Sequence, residues 1–96
     1  MAEAAGVCLV LNPGDNTVTA LQDLKAGESV RLRNPEETIT LRDDIPYAHK
    51  FARRFIPAGA QVIKYGEVIG VAVSDIDPGA HVHVHNVTGL RARGAS

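Results

Sequence analysis

The sequence predicts an all-β domain, and three observations carry that reading. Short alternating stretches such as Ser29-Val-Arg-Leu-Arg33 and Thr38-Ile-Thr-Leu-Arg42 are separated by turn formers, among them Asn12-Pro-Gly-Asp-Asn16, Ala26-Gly27 and Asn34-Pro35. One spacing occurs three times: Ala20-x-x-x-Leu24-x-x-Gly27-x-x-Val30, then Ala52, Ile56, Gly59 and Val62, then Ala72, Ile76, Gly79 and Val82. A strand, a glycine turn and a return strand would produce it, because glycine accepts a positive φ at no steric cost. The third observation is the run Asp75 to Val87, where His81, His83 and His85 alternate with Val82 and Val84 after a Pro78-Gly79 turn.

Taken in order, Met1 to Gly6 reads as a loose start, followed by a domain over residues 7–87 and a tail over 88–96. Val7 to Leu11 and Thr17 to Leu21 are apolar or β-branched and read as strands. In Tyr47 to Ile56 two signals compete. Tyr47, Phe51 and Phe55 recur every four residues as in a helix, whereas the repeat frame makes His49 to Arg54 a strand with room for a helical turn at Pro46 to Lys50 before it. The frame is longer in range, so strand is preferred. Gln61 to Tyr65 and Glu67 to Val73 flank Gly66 as a hairpin, and Gly70 within the second arm marks a bulge, a bend or a close backbone approach.

Composition excludes several classes. Ninety-six residues make one domain, and the formal charge of −1 together with only four aromatic residues argues against a nucleic-acid binder. No apolar run approaches the ~20 residues of a membrane span. The start lacks the pattern of a signal peptide, and the single cysteine, Cys8, rules out an intrachain disulfide and reads as a small buried hydrophobe. A reducing cytoplasm fits these features. Phosphate loops, nucleophile elbows and His-Glu-x-x-His helices are absent from the sequence.

Chemistry concentrates in the histidines. On a strand, residues i, i+2 and i+4 share a face, so His81, His83 and His85 should form a row while Val82 and Val84 turn inward. Neighbouring rings ~6.5–7 Å apart can lean onto one ion, but the full row spans ~13 Å, too far for one metal. An adjacent pair completed by His49 or by another chain is the workable site; a polar sheet face carrying exposed histidines is the bland alternative. His49-Lys50 follows the polar turn Asp43-Asp44-Ile45-Pro46, which could equally be a solvated loop. Asn86 should point away from the row unless a bulge turns it, and Lys64-Tyr65-Gly66-Glu67 reads as an ordinary hairpin tip.

Ile45-Pro-Tyr-Ala-His-Lys50, Ile56-Pro-Ala-Gly59, Val62-Ile-Lys-Tyr-Gly66, Ile69-Gly70, Asp75-Ile76, Gly79 and Val82-His-Val-His-Asn86 occur in this order. Together they resemble the SAF domain of the altronate/galactarate dehydratase family over residues 7 to 87, and in particular the small subunits of split members such as sulfolactate sulfo-lyase. Ala48 departs from the glycine usual there. The resemblance implies a β-clip fold, a bent double-stranded ribbon. It also implies a role in eliminating water from a sugar acid, or sulfite from sulfolactate, with a large catalytic subunit as partner and iron(II) or another divalent metal in the assembled enzyme. On that basis His49, His83 and His85 are candidate catalytic groups, Lys50 and Asn86 candidate substrate ligands, and His81, His83 and His85 candidate metal ligands. A domain this small cannot by itself enclose the base, acid and enolate-stabilising groups that such an elimination requires, so no activity is expected of the chain alone. Two rival classes are a non-catalytic carbohydrate-binding module and a scaffold docking through exposed strands, which would also allow homo-oligomers.

Overall fold

The computed structural model describes residues 2–3, 8–10, 12–33 and 36–89. The described residues form ten strands: β1 (Ala2–Glu3), β2 (Cys8–Leu9), β3 (Thr17–Ala20), β4 (Ser29–Arg33), β5 (Glu36–Thr40), β6 (Lys50–Ala52), β7 (Gln61–Lys64), β8 (Glu67–Ala72), β9 (His81–Val82) and β10 (Val87–Gly89). They form three sheets ordered β1-β4-β5, β2-β3-β6-β9 and β10-β8-β7. All pairings are antiparallel except β1 with β4. The domain is all-β, with no helix among the described residues.

The repeat found in the sequence is the organising device, and it has a fourth copy that the sequence conceals. Leu41, Ile45, Ala48 and Phe51 occupy the same frame as Ala20, Leu24, Gly27 and Val30. In every copy the third position closes a turn: Glu28 N–H donates to Lys25 O, His49 to Pro46, Ala60 to Pro57 and Ala80 to Asp77, at 3.0–3.1 Å. The residue before each donor has a positive φ: Gly27 90°, Ala48 71°, Gly59 88° and Gly79 84°. These are type II turns, which require φ above zero at their third residue. Copies pair two by two through reciprocal backbone bonds, Leu24 with Ile45 and Ile56 with Ile76, at 2.8–2.9 Å. The chain is therefore two similar halves, each with its own core. One packs Val18, Leu24, Val30, Ile45 and Phe51; the other packs Ile56, Val62, Ile76 and Val82.

A carboxylate caps three of the four turns. Asp23 Oδ1 accepts from Tyr47 N–H, Asp44 Oδ1 from Ala26 N–H and Asp75 Oδ1 from Ala58 N–H, at 2.8–2.9 Å. At the fourth turn the frame holds Phe55 in place of Asp, and the residue to be capped is Pro78, which has no N–H to satisfy. The exchange leaves no buried donor orphaned, which is why the exception is tolerated.

Sequence expectation and structure differ at the margins. The helical periodicity of Tyr47 to Phe55 does not produce a helix: Phe51 is buried while Tyr47 and Phe55 are 64% and 48% exposed, because the turn at Ala48 intervenes. Ala2–Glu3 pair with β4, and Val87–Gly89 pair with β8, so order extends beyond residue 87. Met1, residues 4–7 and 11, the Asn34-Pro35 turn and residues 90–96 of the expected tail lie outside the described residues. Gly70 marks a close approach: a Cβ there would strike the Thr88 carbonyl and the Val87 side chain. The register shift lies opposite it, between Val62 and Ile63.

Ala48 stands in left-handed backbone, where a Cβ costs roughly 1–2 kcal/mol. Replacing it with glycine should stabilise the domain by about 0.5–1 kcal/mol, because relief of strain outweighs the added freedom of the unfolded chain. The urea midpoint should rise; a fall would show that the Ala48 methyl contributes packing worth more than its strain.

Candidate functional site

The site lies on the seam between the halves, where β6 leaves the second turn. Register explains it. Phe51 faces His81 and Lys50 faces Val82, so one step outward His49 stands across from His83. Residues directly opposite share a face and alternate residues along a strand share a face, which brings His49, His81 and His83 together. Their rings stack: His49 and His83 centroids are 4.4 Å apart, His49 and His81 5.1 Å, and His81 and His83 5.4 Å, with interplanar angles of 8–25°. His49 Nδ1 and His81 Nε2 are hydrogen-bonded at 2.9 Å, one nitrogen carrying the shared hydrogen. One nitrogen from each ring falls within 4.8 Å of the other two, and all three residues are half-buried.

Two backbone anchors hold this arrangement. Asp43 Oδ2 accepts from His81 N–H at 2.8 Å, so a loop of the first half fixes where β9 starts. After Val82 the chain leaves the strand and turns. Asn86 closes the turn, its side chain accepting from His83 N–H at 3.0 Å and donating to His81 O at 2.8 Å, while its own N–H donates to His83 O at 3.1 Å. Asn86 is buried, and both ends of its amide are spent on backbone. The same turn undoes part of the expected alternation. Val82 is fully buried as expected, but Val84 is 83% exposed rather than in the core.

His81 and His83 thus share the site, and His49 completes it. His85 is left outside: its exposed ring tilts over His81 at 43° and 5.6 Å, and it does not belong to the converging group. Lys50 lines a cleft of about 230 Å³ with Ile69, His83, Val84, Val87 and Gly89. Asp43 was read from sequence only as part of a polar turn; its carboxylate grips a backbone 38 residues away, and no local pattern signals such a contact.

Burial and neighbouring cations set the protonation states. Desolvation, then the charges of His49, His83 and His85, push the His81 pKa down against a weaker opposing pull from Asp43. The His83 pKa falls for the same first reason, with His49, Lys50 and His85 adding to it. Lys50 is lowered by desolvation and then by Lys64. Cys8 is buried and its thiol is pushed up to about 11, so it is inert as a nucleophile at neutral pH.

The histidine shifts predict a pH effect whose sign is fixed. A base with a lowered folded pKa is protonated more readily in the unfolded chain. The metal-free domain should therefore hold its full stability above the unfolded histidine value of ~6.5 and lose it as pH falls through that value towards the folded ones. Urea midpoints at pH 8 and pH 5.5 check this, with His83→Gln flattening the difference.

Three imidazoles converging on one point are a donor set suited to a divalent ion such as zinc or iron(II). Tetrahedral coordination at 2.0–2.1 Å needs nitrogens about 3.3 Å apart, which modest ring rotations supply. The arrangement defines a class: a small all-β domain with a surface site that can hold a metal beside a lysine-lined cleft. Comparison with known proteins then places it. The family model for the altronate/galactarate dehydratase SAF domain matches residues 7–90, and the chain belongs to that family. It is 51% identical over 72 residues to altronate dehydratase of Escherichia coli K12, a match covering 75% of this chain and 14% of that protein. It is 47% identical over 53 residues to the (2R)-sulfolactate sulfo-lyase subunit alpha of Paracoccus pantotrophus, covering 55% of this chain and 79% of that subunit. The corresponding subunit of Chromohalobacter salexigens is 36% identical over 74 residues, again covering 79% of its length. The chain thus spans only a small part of the dehydratase but most of the sulfo-lyase subunits.

Proposed function

We propose that the chain serves as the small subunit of a two-subunit lyase that eliminates water from a sugar acid of the altronate or galactarate type. The observation that carries this reading is the convergence of His49, His81 and His83 beside a cleft holding Lys50, in a domain of this family. The three histidines are suited to hold iron(II) or another divalent cation. When bound, such an ion would supply positive charge that stabilises the enolate-like state formed when a proton is lost beside a carboxylate. Lys50 binds the substrate carboxylate from the cleft. His85, exposed and in ring contact with His81, is placed to exchange a proton with solvent or with the leaving hydroxyl. Asn86 contributes by holding the turn that presents His83.

The two paired half-units agree with a β-clip, a ribbon folded on itself, and the open cleft agrees with a site that a large subunit completes. A second reading, release of sulfite from sulfolactate, is favoured by the coverage of 79% of the alpha subunits, against 14% of the dehydratase with the higher identity. Both readings are lyases with a partner chain. The test is co-expression with a candidate large chain, followed by turnover assays on altronate, galactarate and sulfolactate and by metal analysis. Turnover of one acid that depends on both chains supports the proposal and selects the reading. Turnover by the large chain that is unchanged when the small chain is left out overturns it and leaves a scaffold.

A further inference from the structure

The hairpin tip Lys64-Tyr65-Gly66-Glu67 is built against its own turn chemistry. Tyr65 and Gly66 both have positive φ, 55° and 77°, which makes a type I′ turn. That turn favours Asn-Gly, and a bulky side chain in its first central position is a conformational outlier. Asp15 holds the strained turn in place, its carboxylate accepting from Tyr65 N–H at 2.9 Å and Gly66 N–H at 2.7 Å. The result is a ring in a defined position: the Lys64 ammonium sits 4.9 Å from its centroid, and its hydroxyl lies 3.4 Å from Thr19 Oγ1. Thr19 is the register partner of Lys50, so their side chains share a face. A continuous path thus runs from Lys64 over Tyr65 and Thr19 to Lys50 and its cleft.

Neither lysine has a carboxylate within ion-pair distance among the described residues. Lys50 is half-buried, and buried charges are normally paired. Two such cations, linked through the Tyr65 ring and Thr19, are suited to an anion. Backbone strain spent on setting a ring under one of them is the kind of outlier that points to function.

We infer that Lys64 and Lys50 form a two-cation seat for the acid group of a hydroxy-acid ligand, with the Tyr65 ring positioning Lys64. The inference deepens the function proposed above by adding a second cation to its substrate site, but it needs no metal. Lys64 becomes a substrate-contact residue and Tyr65 a positioning residue.

Backbone amide NMR of the full chain in EDTA, titrated with galactarate at constant ionic strength, tests it apart from the metal reading. Saturable shifts are expected at Thr19, Lys50, Lys64 and Val87 to Gly89. Lys64→Met should weaken binding about tenfold, the loss of one charge-assisted contact. Tyr65→Asn should weaken it too while leaving the thermal midpoint the same or higher, since Asn suits the turn; a merely structural tyrosine would lower the midpoint. Three results overturn the inference: no saturable shift, the same shifts with potassium chloride alone, or unchanged affinity in Lys64→Met. A lysine-dependent galactarate seat in a chain that binds no divalent metal would refute only the metal part of the proposed function.

Discussion

Replacing His49 with alanine should lower divalent-metal affinity by at least about a hundredfold, since even partners of metal ligands are worth 10- to 100-fold. His49 supplies the ring directly opposite His83 and the nitrogen bonded to His81, so its loss leaves only His81 and His83 as donors. His83→Ala should act alike. His85→Ala is the informative contrast, because His85 lies outside the converging group. Its metal affinity should stay within about twofold of the parent, a difference of less than half a kcal/mol. Its turnover in the complex with the large chain should nevertheless fall, as expected of a proton-transfer group, which typically contributes 10²–10⁴-fold. Competition against a chromophoric chelator gives the affinities. Equal metal binding in the parent and His49→Ala would remove the triad from the mechanism.

The largest stability effect should come from Gly79. Gly27, Gly59 and Gly79 occupy equivalent turns with φ of 84–90°, so a methyl group at each meets the same backbone strain, roughly 1–2 kcal/mol. Their surroundings differ. Nothing lies within 4 Å of a Cβ at Gly27 or Gly59, whereas at Gly79 it would collide with the Thr40 carbonyl oxygen and press on Leu41 Cα. Backbone cannot yield as a flexible side chain would. Moreover, Gly79 O accepts from Arg42 N–H at 3.0 Å on that side. Gly79→Ala should therefore cost about 4 kcal/mol or more and leave little folded chain, with Gly27→Ala and Gly59→Ala near 1–2 kcal/mol. Chemical denaturation of the three variants side by side separates torsional strain from collision. Similar losses at all three would show that the first half does not press on the fourth turn.

That contact between copies is what the repeat alone does not reveal. The spacing showed three units of strand, turn and strand, and the described residues have all three. The fourth stayed hidden because Leu41, Ala48 and Phe51 replace the small residue, the glycine and the valine of the other copies, with Ile45 alone keeping its type. Ala48 disguises the turn most of all, since alanine at positive φ has no local signature. The competing Tyr47, Phe51 and Phe55 periodicity lost for the same reason. A period of four means a helix only where the backbone between its members stays right-handed.

At the site, local pattern and tertiary register each decided part. Alternation was enough to put His81 and His83 on one face, and strand spacing was enough to show that one ion cannot take three consecutive members of the row. His49 was named as a completing ligand, and it stands in the converging group. Which pair it joins, and that His85 is left over, depended on the turn closed by Asn86. Lys64 looked like an ordinary tip residue because its relation to Lys50 runs through Tyr65 and Thr19, 46 residues apart in the chain.

By itself, then, the amino-acid order determined an all-β chain with glycine turns in a fixed frame, a face of imidazoles and membership in a family. Those properties follow from side-chain alternation and backbone torsions, which act over a few residues. Tertiary structure alone decided that His49 lies across from His83, that Asp43 and Asn86 anchor the histidine turn, and that Tyr65 at a hairpin tip meets Thr19, the strand partner of Lys50. Cross-strand register is a property of the closed sheet, set by hydrogen bonds between segments thirty or more residues apart, and no short stretch of sequence contains it.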